Sequence, residues 1–169
     1  MGVRRLKLTG FETEILGLLA AGFRFSDPSL RDLGLVLDRN LFAQFLPDAK
    51  DIAETAQETD NGFAFDPLKE PALCIYRQPG PGIPPTMSSG SRLSFNLLLV
   101  LRTPGSLQEA ADMLGEVVVW LELNAPGAVT TSYIVRGYQT LGMPVPFQRY
   151  ADNKSAASSA VRFLAVARL

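Results

Sequence analysis

Four sets of residues have the types that catalysis or ligand binding uses. Pro79-Gly80-Pro81-Gly82 has the glycine spacing of a loop that closes around a phosphate. Ser88, Ser89 and Ser91 offer hydroxyl nucleophiles, and Cys74 offers a thiol. The carboxylates between Asp48 and Asp66 offer oxygen ligands for a cation, or an acid–base pair. Each set fails on its surroundings. A phosphate cradle works through backbone N–H groups, and Pro79, Pro81, Pro84 and Pro85 have none. No Gly-Lys-Ser/Thr follows the loop. The serines fit neither a Gly-x-Ser-x-Gly nor a Ser-x-x-Lys frame. The acidic spacing does not match a calcium-binding EF-hand loop, so a solvated acidic face is expected there. Cys74 falls inside an alternating strand pattern, where a cysteine acts as a small buried hydrophobe.

The wider inventory points the same way. Among 169 residues there is no histidine and one cysteine, so a Ser-His-Asp triad, a Cys-His pair, a His-carboxylate metal site and a disulfide within the chain are all excluded. The expectation is a protein that is not an enzyme and holds no cofactor or metal. Net charge is -1, from 16 basic and 17 acidic residues, which gives no global case for nucleic acid or an anionic membrane. The longest apolar run, Ile15 to Phe23, falls short of the roughly 20 residues of a membrane span. Glu12 and Glu14 stand where the apolar core of a signal peptide should begin. A soluble, reducing compartment is expected.

Two elements with strong periodicity must position whatever chemistry exists. In Arg92 to Arg102, Leu93, Phe95, Leu97, Leu99 and Leu101 line one face of a strand, and Ser94, Asn96, Leu98 and Val100 line the other. Ser106 to Leu123 is a helix, opened by a Ser106/Glu109 capping box. Its apolar stripe is Leu107, Ala110, Ala111, Leu114, Val117, Val118 and Leu121. A first helix is expected over Phe11 to Ala21, capped by Thr9 with Glu12 reaching back, and closed by Gly22. A second helical stretch fits Ser29 to Leu46, although alternation over Leu33 to Leu37 also fits a strand. Further strands fit Ala72 to Gln78, Tyr133 to Tyr138 and Ala160 to Arg168.

Two segments interrupt this pattern. Residues 48–70 hold seven acidic side chains against two lysines, and read as an exposed acidic excursion. Residues 79–91 are rich in proline and glycine, which argues against regular structure and for an extended contact arm. The resulting expectation is a single α+β domain over residues 1–169. It has an antiparallel or mixed sheet of about four strands, with helices on one face and an extended Gly/Pro arm.

Charge is unevenly spread. Residues 1–70 carry 8 basic and 12 acidic side chains, whereas residues 71–169 carry 8 basic and 5 acidic. Arginines outnumber lysines by 12 to 4, and arginine suits bidentate pairing at protein interfaces. Ordinary solvated surface is one reading. The other is head-to-tail association, a heterologous contact that closes into rings. On that reading the subunit or partner interface gathers Arg77, Pro79, Gly80, Pro81, Gly82, Arg92, Arg136, Arg149, Arg162 and Arg168.

A succession of features carries a family likeness. The N-terminal helix Phe11 to Ala21 is followed by a strand ending Ile75-Tyr76-Arg77 and then by the Gly/Pro segment. Next come the strand Arg92 to Val100 and the helix opening Ser106-Leu107-Gln108-Glu109-Ala110. Val135-Arg136-Gly137 precedes Pro144-Val145-Pro146, and Asp152-Asn153-Lys154 leads into Ser159-Ala160-Val161-Arg162-Phe163. In this order the chain resembles the tail terminator family of tailed bacteriophages, also described as minor tail or tail-completion proteins. The likeness covers about two thirds of the chain, and the 48–70 excursion has no counterpart in it.

The resemblance implies a structural virion protein, assembled in the host cytoplasm, whose subunits form a hexameric ring at the head-proximal end of the tail. Such a ring caps the tail tube and joins the tail to the head connector. Its implied partners are further copies of itself, the tube protein, the sheath where the tail contracts, and a stopper or adaptor protein of the head–tail connector. DNA would pass through the lumen without specific binding, and no membrane is involved. The alternatives are a non-viral oligomeric α+β binding module and a small enzyme that works without histidine.

Overall fold

The computed structural model describes residues 10–28, 40–44, 71–77, 86–88, 92–149 and 154–168. Its spine is a pair of long strands, β4 (Arg92–Pro104) and β7 (Lys154–Ala167). They run antiparallel along the whole of β4, from Arg92 opposite Val166 to Pro104 opposite Lys154. Strand β2 (Ala72–Arg77) pairs antiparallel with the second half of β4, and the short β3 (Thr86–Ser88) continues the same edge opposite Ser94 to Arg92. The far edge of β7 is shared in the same way by β5 (Tyr133–Thr140) and β6 (Val145–Arg149). Strand β1 (Leu41–Ala43) lies parallel to β2, which makes the sheet mixed, in the order β1-β2-β4-β7-β5. With its helices the molecule is an α+β fold.

Helices α1 (Phe11–Gly22) and α2 (Leu107–Asn124) cover one face of this sheet. The alternation of β4 sends Leu93, Phe95, Leu97, Leu99 and Leu101 to that face, where all are buried. From α1, Phe11, Ile15, Leu16 and Leu19 meet them; from α2, Ala110, Leu114, Val117, Val118 and Leu121. Phe11 stands at the centre. Its ring stacks on Phe95 with centroids 4.1 Å apart, and Tyr133 and Phe163 present edges at 5.1 and 5.5 Å. A buried ion pair fixes the same end of α1: Glu12 Oε1 accepts from Arg77 Nε at 2.7 Å, and the Arg77 guanidinium lies 5.3 Å from the Phe95 centroid.

Several details depart from the pattern read in the sequence. The first helix has no side-chain cap; its N-cap is Gly10, at φ 84°, and Glu12 is turned to Arg77 instead of back along the chain. Gly22 ends the helix without a left-handed turn, and is needed for a different reason. A Cβ there would lie 2.8 Å from the Trp120 ring. The Ser29–Leu46 helix does not extend through Leu41–Ala43, which is strand: Leu41 joins the core while Phe42 packs with Cys74 on the opposite face. Leu37, Leu41 and Phe45 have helical spacing, but over three residues pairing with β2 outweighs it. Within the 79–91 arm, Thr86–Ser88 pairs with β4, since the prolines at 84 and 85 leave the following N–H groups intact. The strands number seven among the described residues, against about four expected, because β1, β3 and β6 are short.

The Ser106 cap is present: its Oγ accepts the Glu109 N–H at 3.1 Å. Leu107, counted in the apolar stripe, is 37% exposed, whereas Leu114 is fully buried. Leu114→Ala should therefore cost about 2–5 kcal/mol, a large share of the roughly 5–15 that holds a domain together. Val119→Ala, on the exposed side of α2, should stay within about 0.5 kcal/mol. Urea unfolding midpoints of both variants measure this contrast, and equal losses would place the helix on the wrong face.

The core also makes the fold sensitive to alkali. Burial, then the Glu14 carboxylate, push the Tyr133 hydroxyl up to about 12; Arg77 pulls the other way and Glu12 adds a little. Tyr138 is raised too, by burial first, against a hydrogen bond that Thr140 donates to it. A group held above its unfolded value, here 10.0, keeps its proton better in the folded state. Its stabilisation is complete below pH 10 and is lost as the pH rises toward 12. Urea midpoints should thus fall over that window, and Tyr133→Phe should flatten most of the slope, leaving the share due to Tyr138. An unchanged slope in the variant would assign the alkaline loss to other groups.

Candidate functional site

The face of the sheet turned away from the helices carries the even-numbered residues of β4 and β7. At one end it is closed: Ala72, Cys74 and Phe42 pack together there, and Val100 and Arg102 are buried. Cys74 is thus a small buried side chain, as its strand position suggested. At the other end the face is open. Leu164 is 49% exposed, and its neighbours on the same face are Arg162 and Val166 along β7 and Ser94 across from it on β4.

A bulge completes this open end. Strand β5 shifts register between Val135, opposite Ala165, and Gly137, opposite Leu164, leaving Arg136 as the extra residue. Val135 and Tyr138 both face the core, so Arg136 and Gly137 both face outward. Without the extra residue Tyr138 would be turned out of the core. Gly137 is bare for a reason: a Cβ there would meet Leu164 Cδ1 at 3.3 Å, so the leucine lies across the glycine.

Three of the ten interface residues read from the sequence stand around Leu164, and a fourth, Arg168, lies four residues along the chain from it. Arg92 stands opposite Val166, Arg136 is exposed on the bulge, Arg162 flanks the leucine, and Arg168 follows β7. Arg162 Nε donates to Asn96 Oδ1 at 3.0 Å, and Arg168 Nη1 donates to the Thr130 carbonyl at 2.7 Å. The amide nitrogen of Asn96 is buried and has no hydrogen-bond partner among the described residues. Guanidinium groups around an apolar centre present forks that bind carboxylates in pairs of hydrogen bonds.

The other six do not join them. Arg77 faces the helices and is committed within the subunit to Glu12 and Phe95. Arg149 lies on β6 opposite Ser155. Pro79, Gly80, Pro81 and Gly82 lie outside the described residues, as does the 48–70 acidic segment.

Among the described residues, carboxylates are confined to the helices and the segment after α1. No described strand carries a carboxylate. The acids sit on α1 (Glu12, Glu14), just after it (Asp27), and on α2 (Glu109, Asp112, Glu116, Glu122). Helix α2 belongs to the basic half of the sequence, yet it is the most acidic element described. Some of these groups are occupied: Glu116 accepts the Ser26 N–H at 2.9 Å, and Glu14 accepts the Ser132 N–H at 2.7 Å. Asp112, Val119 and Leu123 lie on the side of α2 opposite its buried stripe, the last two 54% and 76% exposed. Asp112 accepts from Gln108 Nε2 at 2.9 Å, and Glu122 is exposed on the flank, where its charge helps to raise the Tyr138 hydroxyl.

Sequence reasoning missed Leu164, Asn96 and the outward acids of α2. The Arg136-Gly137 step inside a strand pattern was the available signal, since an isolated glycine in a strand marks a bulge. Among the described residues no group of three histidine, cysteine or carboxylate side chains is placed to hold a metal ion. No described helix is long and apolar enough to cross a membrane. Compared with known proteins, the chain matches no protein-family model and no curated protein.

Proposed function

We propose that this protein is a tail terminator of a tailed bacteriophage. It acts as a structural subunit whose copies close into a ring, a hexamer in the family it resembles. The ring caps the tail tube and joins the tail to the head connector, and its place is the virion. The observation that carries the reading is the polarity of the described subunit: the carboxylates of α2 on one side of the sheet, and Arg92, Arg136 and Arg162 on the other. A subunit with two unlike faces associates head to tail, and a heterologous contact closes a ring when its rotation divides a full turn.

The order of elements supports the family. Helix, strand, Gly/Pro segment, long strand, amphipathic helix and a bulged strand at Val135-Arg136-Gly137 succeed one another, and a long closing strand ends the series. The role also suits the chemistry on the page. The titratable groups nearest the core, Glu12, Arg77 and Tyr133, hold helix to sheet, as a structural role requires.

The test is the state of the purified chain. Sedimentation velocity should show one closed oligomer at low salt, electron microscopy should show rings, and the rings should bind one end of purified tail tubes. Near-molar salt should shift a dilute ring toward smaller species, because screening acts on every contact at once. A chain that stays monomeric at all concentrations has no ring to cap with. Turnover in a broad substrate screen would favour the enzyme reading, and rings that ignore tail tubes would favour a non-viral binding module.

A further inference from the structure

Two exposed surfaces of the subunit combine charge with apolar side chains. One is the open end of the sheet, with Leu164 half exposed among Arg92, Arg136 and Arg162. The other is the outward side of α2, which carries Asp112 toward its start and the exposed Val119 and Leu123 toward its end, with Glu122 exposed on the flank. They are on opposite sides of the two-layered subunit, because α2 packs on the sheet face that the arginines avoid.

We infer that these two surfaces bind each other between copies: the Leu164 patch of one subunit receives the outer ridge of α2 of the next. The inference rests on the ring reading above and names the contact that builds the ring. Three observations carry it. The first is charge complementarity, since the patch has arginines and no carboxylate, while the ridge has carboxylates. The second is apolar content at both centres: Leu164 on the sheet, Val119 and Leu123 on the helix. The third is the Asn96 amide, a buried donor within the patch that lacks an acceptor among the described residues. A carboxylate arriving on Arg162 would stand beside it, because Arg162 already touches the same side chain.

A nucleic acid fits the patch less well. Phosphate binding favours cations spaced along a track, and here the arginines surround an apolar centre. The face also cannot pair with its own copy by a two-fold axis, since that would set arginine against arginine. Sheet to helix is the arrangement that satisfies both surfaces.

Complementary charge reversal tests this. One variant carries Arg92→Glu and Arg136→Glu, both at exposed positions; the other carries Asp112→Arg and Glu122→Arg. Alone, each presents like charges on both surfaces, and association should weaken by roughly tenfold or more in sedimentation velocity. Mixed in equal amounts they should assemble again, because each then meets a partner of opposite sign. Leu164→Lys, at an exposed site, should lose assembly while keeping the wild-type thermal unfolding, which guards against misfolding of the reversed chains.

Wild-type assembly retained by both reversed chains separately would overturn the inference and leave the ring standing on another contact. A mixture that fails to reassemble would overturn it as well. Filaments restored by mixing, in place of rings, would support the contact and remove the ring. A wild-type chain that never assembles would end both. Binding of a short DNA duplex that is lost with Arg92→Glu/Arg136→Glu, while assembly persists, would overturn the inference and give the face to nucleic acid.

Discussion

The antiparallel ladder between β4 and β7 decides which side chains become core and which become surface. It pairs every residue from Arg92 to Pro104, so period-two alternation holds without interruption along the whole of β4. One face of β4 is therefore leucine and phenylalanine from Leu93 to Leu101, and the other carries Arg92, Ser94 and Asn96 at its open end. A slip of one residue would exchange the two faces and drive an arginine, a serine and an asparagine into the helices. That cost fixes the register. Register shifts fall on the neighbouring strands: on β6 between Pro146 and Gln148, and on β5, where one extra residue returns Tyr138 to the core and presents Arg136 outward.

The arginines divide accordingly. Arg77 comes from an odd position on β2, opposite Leu97, and so arrives on the helical side, where a lone charge would be costly. Glu12 answers it at 2.7 Å, and the Phe95 ring lies beneath it. The pair is imperfect, since Arg77 Nη2 is buried without a hydrogen-bond partner among the described residues. Removing one partner would strand the other, whereas the intact pair fixes the position of α1 more than it adds to stability. Arg92, Arg136, Arg162 and Arg168 differ from Arg77 in one respect only, the face to which their position sends them.

How much of this the sequence discloses depends on element length. Strand β4 and helix α2 are long enough for their periods to repeat many times, and their inner faces are those read from the pattern, Leu107 apart. Strands β1, β3 and β6 are three, three and five residues long, too short for any period to show. Their pairing comes from neighbours distant in the chain. The capping reading of Thr9 and Glu12 failed for a related reason: a partner 65 residues away took the carboxylate. The arginines of the patch were chosen from charge bias along the chain, and of them Arg92, Arg136 and Arg162 share one end of the outward sheet face. Arg77 could not be separated from them without knowing which face of β2 it occupies.

The layering of charge has its own physical origin. Acidic residues are poor strand formers, and glutamate is a good helix former, so carboxylates accumulate on α1 and α2. Arginine tolerates a half-covered sheet face, because its stem lies along apolar neighbours while its fork reaches solvent. Propensity alone thus polarises a two-layered α+β subunit across its thickness. Once polarised, the subunit discriminates between orientations of its own copies. Sheet against sheet and helix against helix both oppose like charges, and only the unlike pairing is attractive. A contact selected in this way repeats in one direction, which is the property an assembly of identical subunits needs if it is to grow with a single polarity.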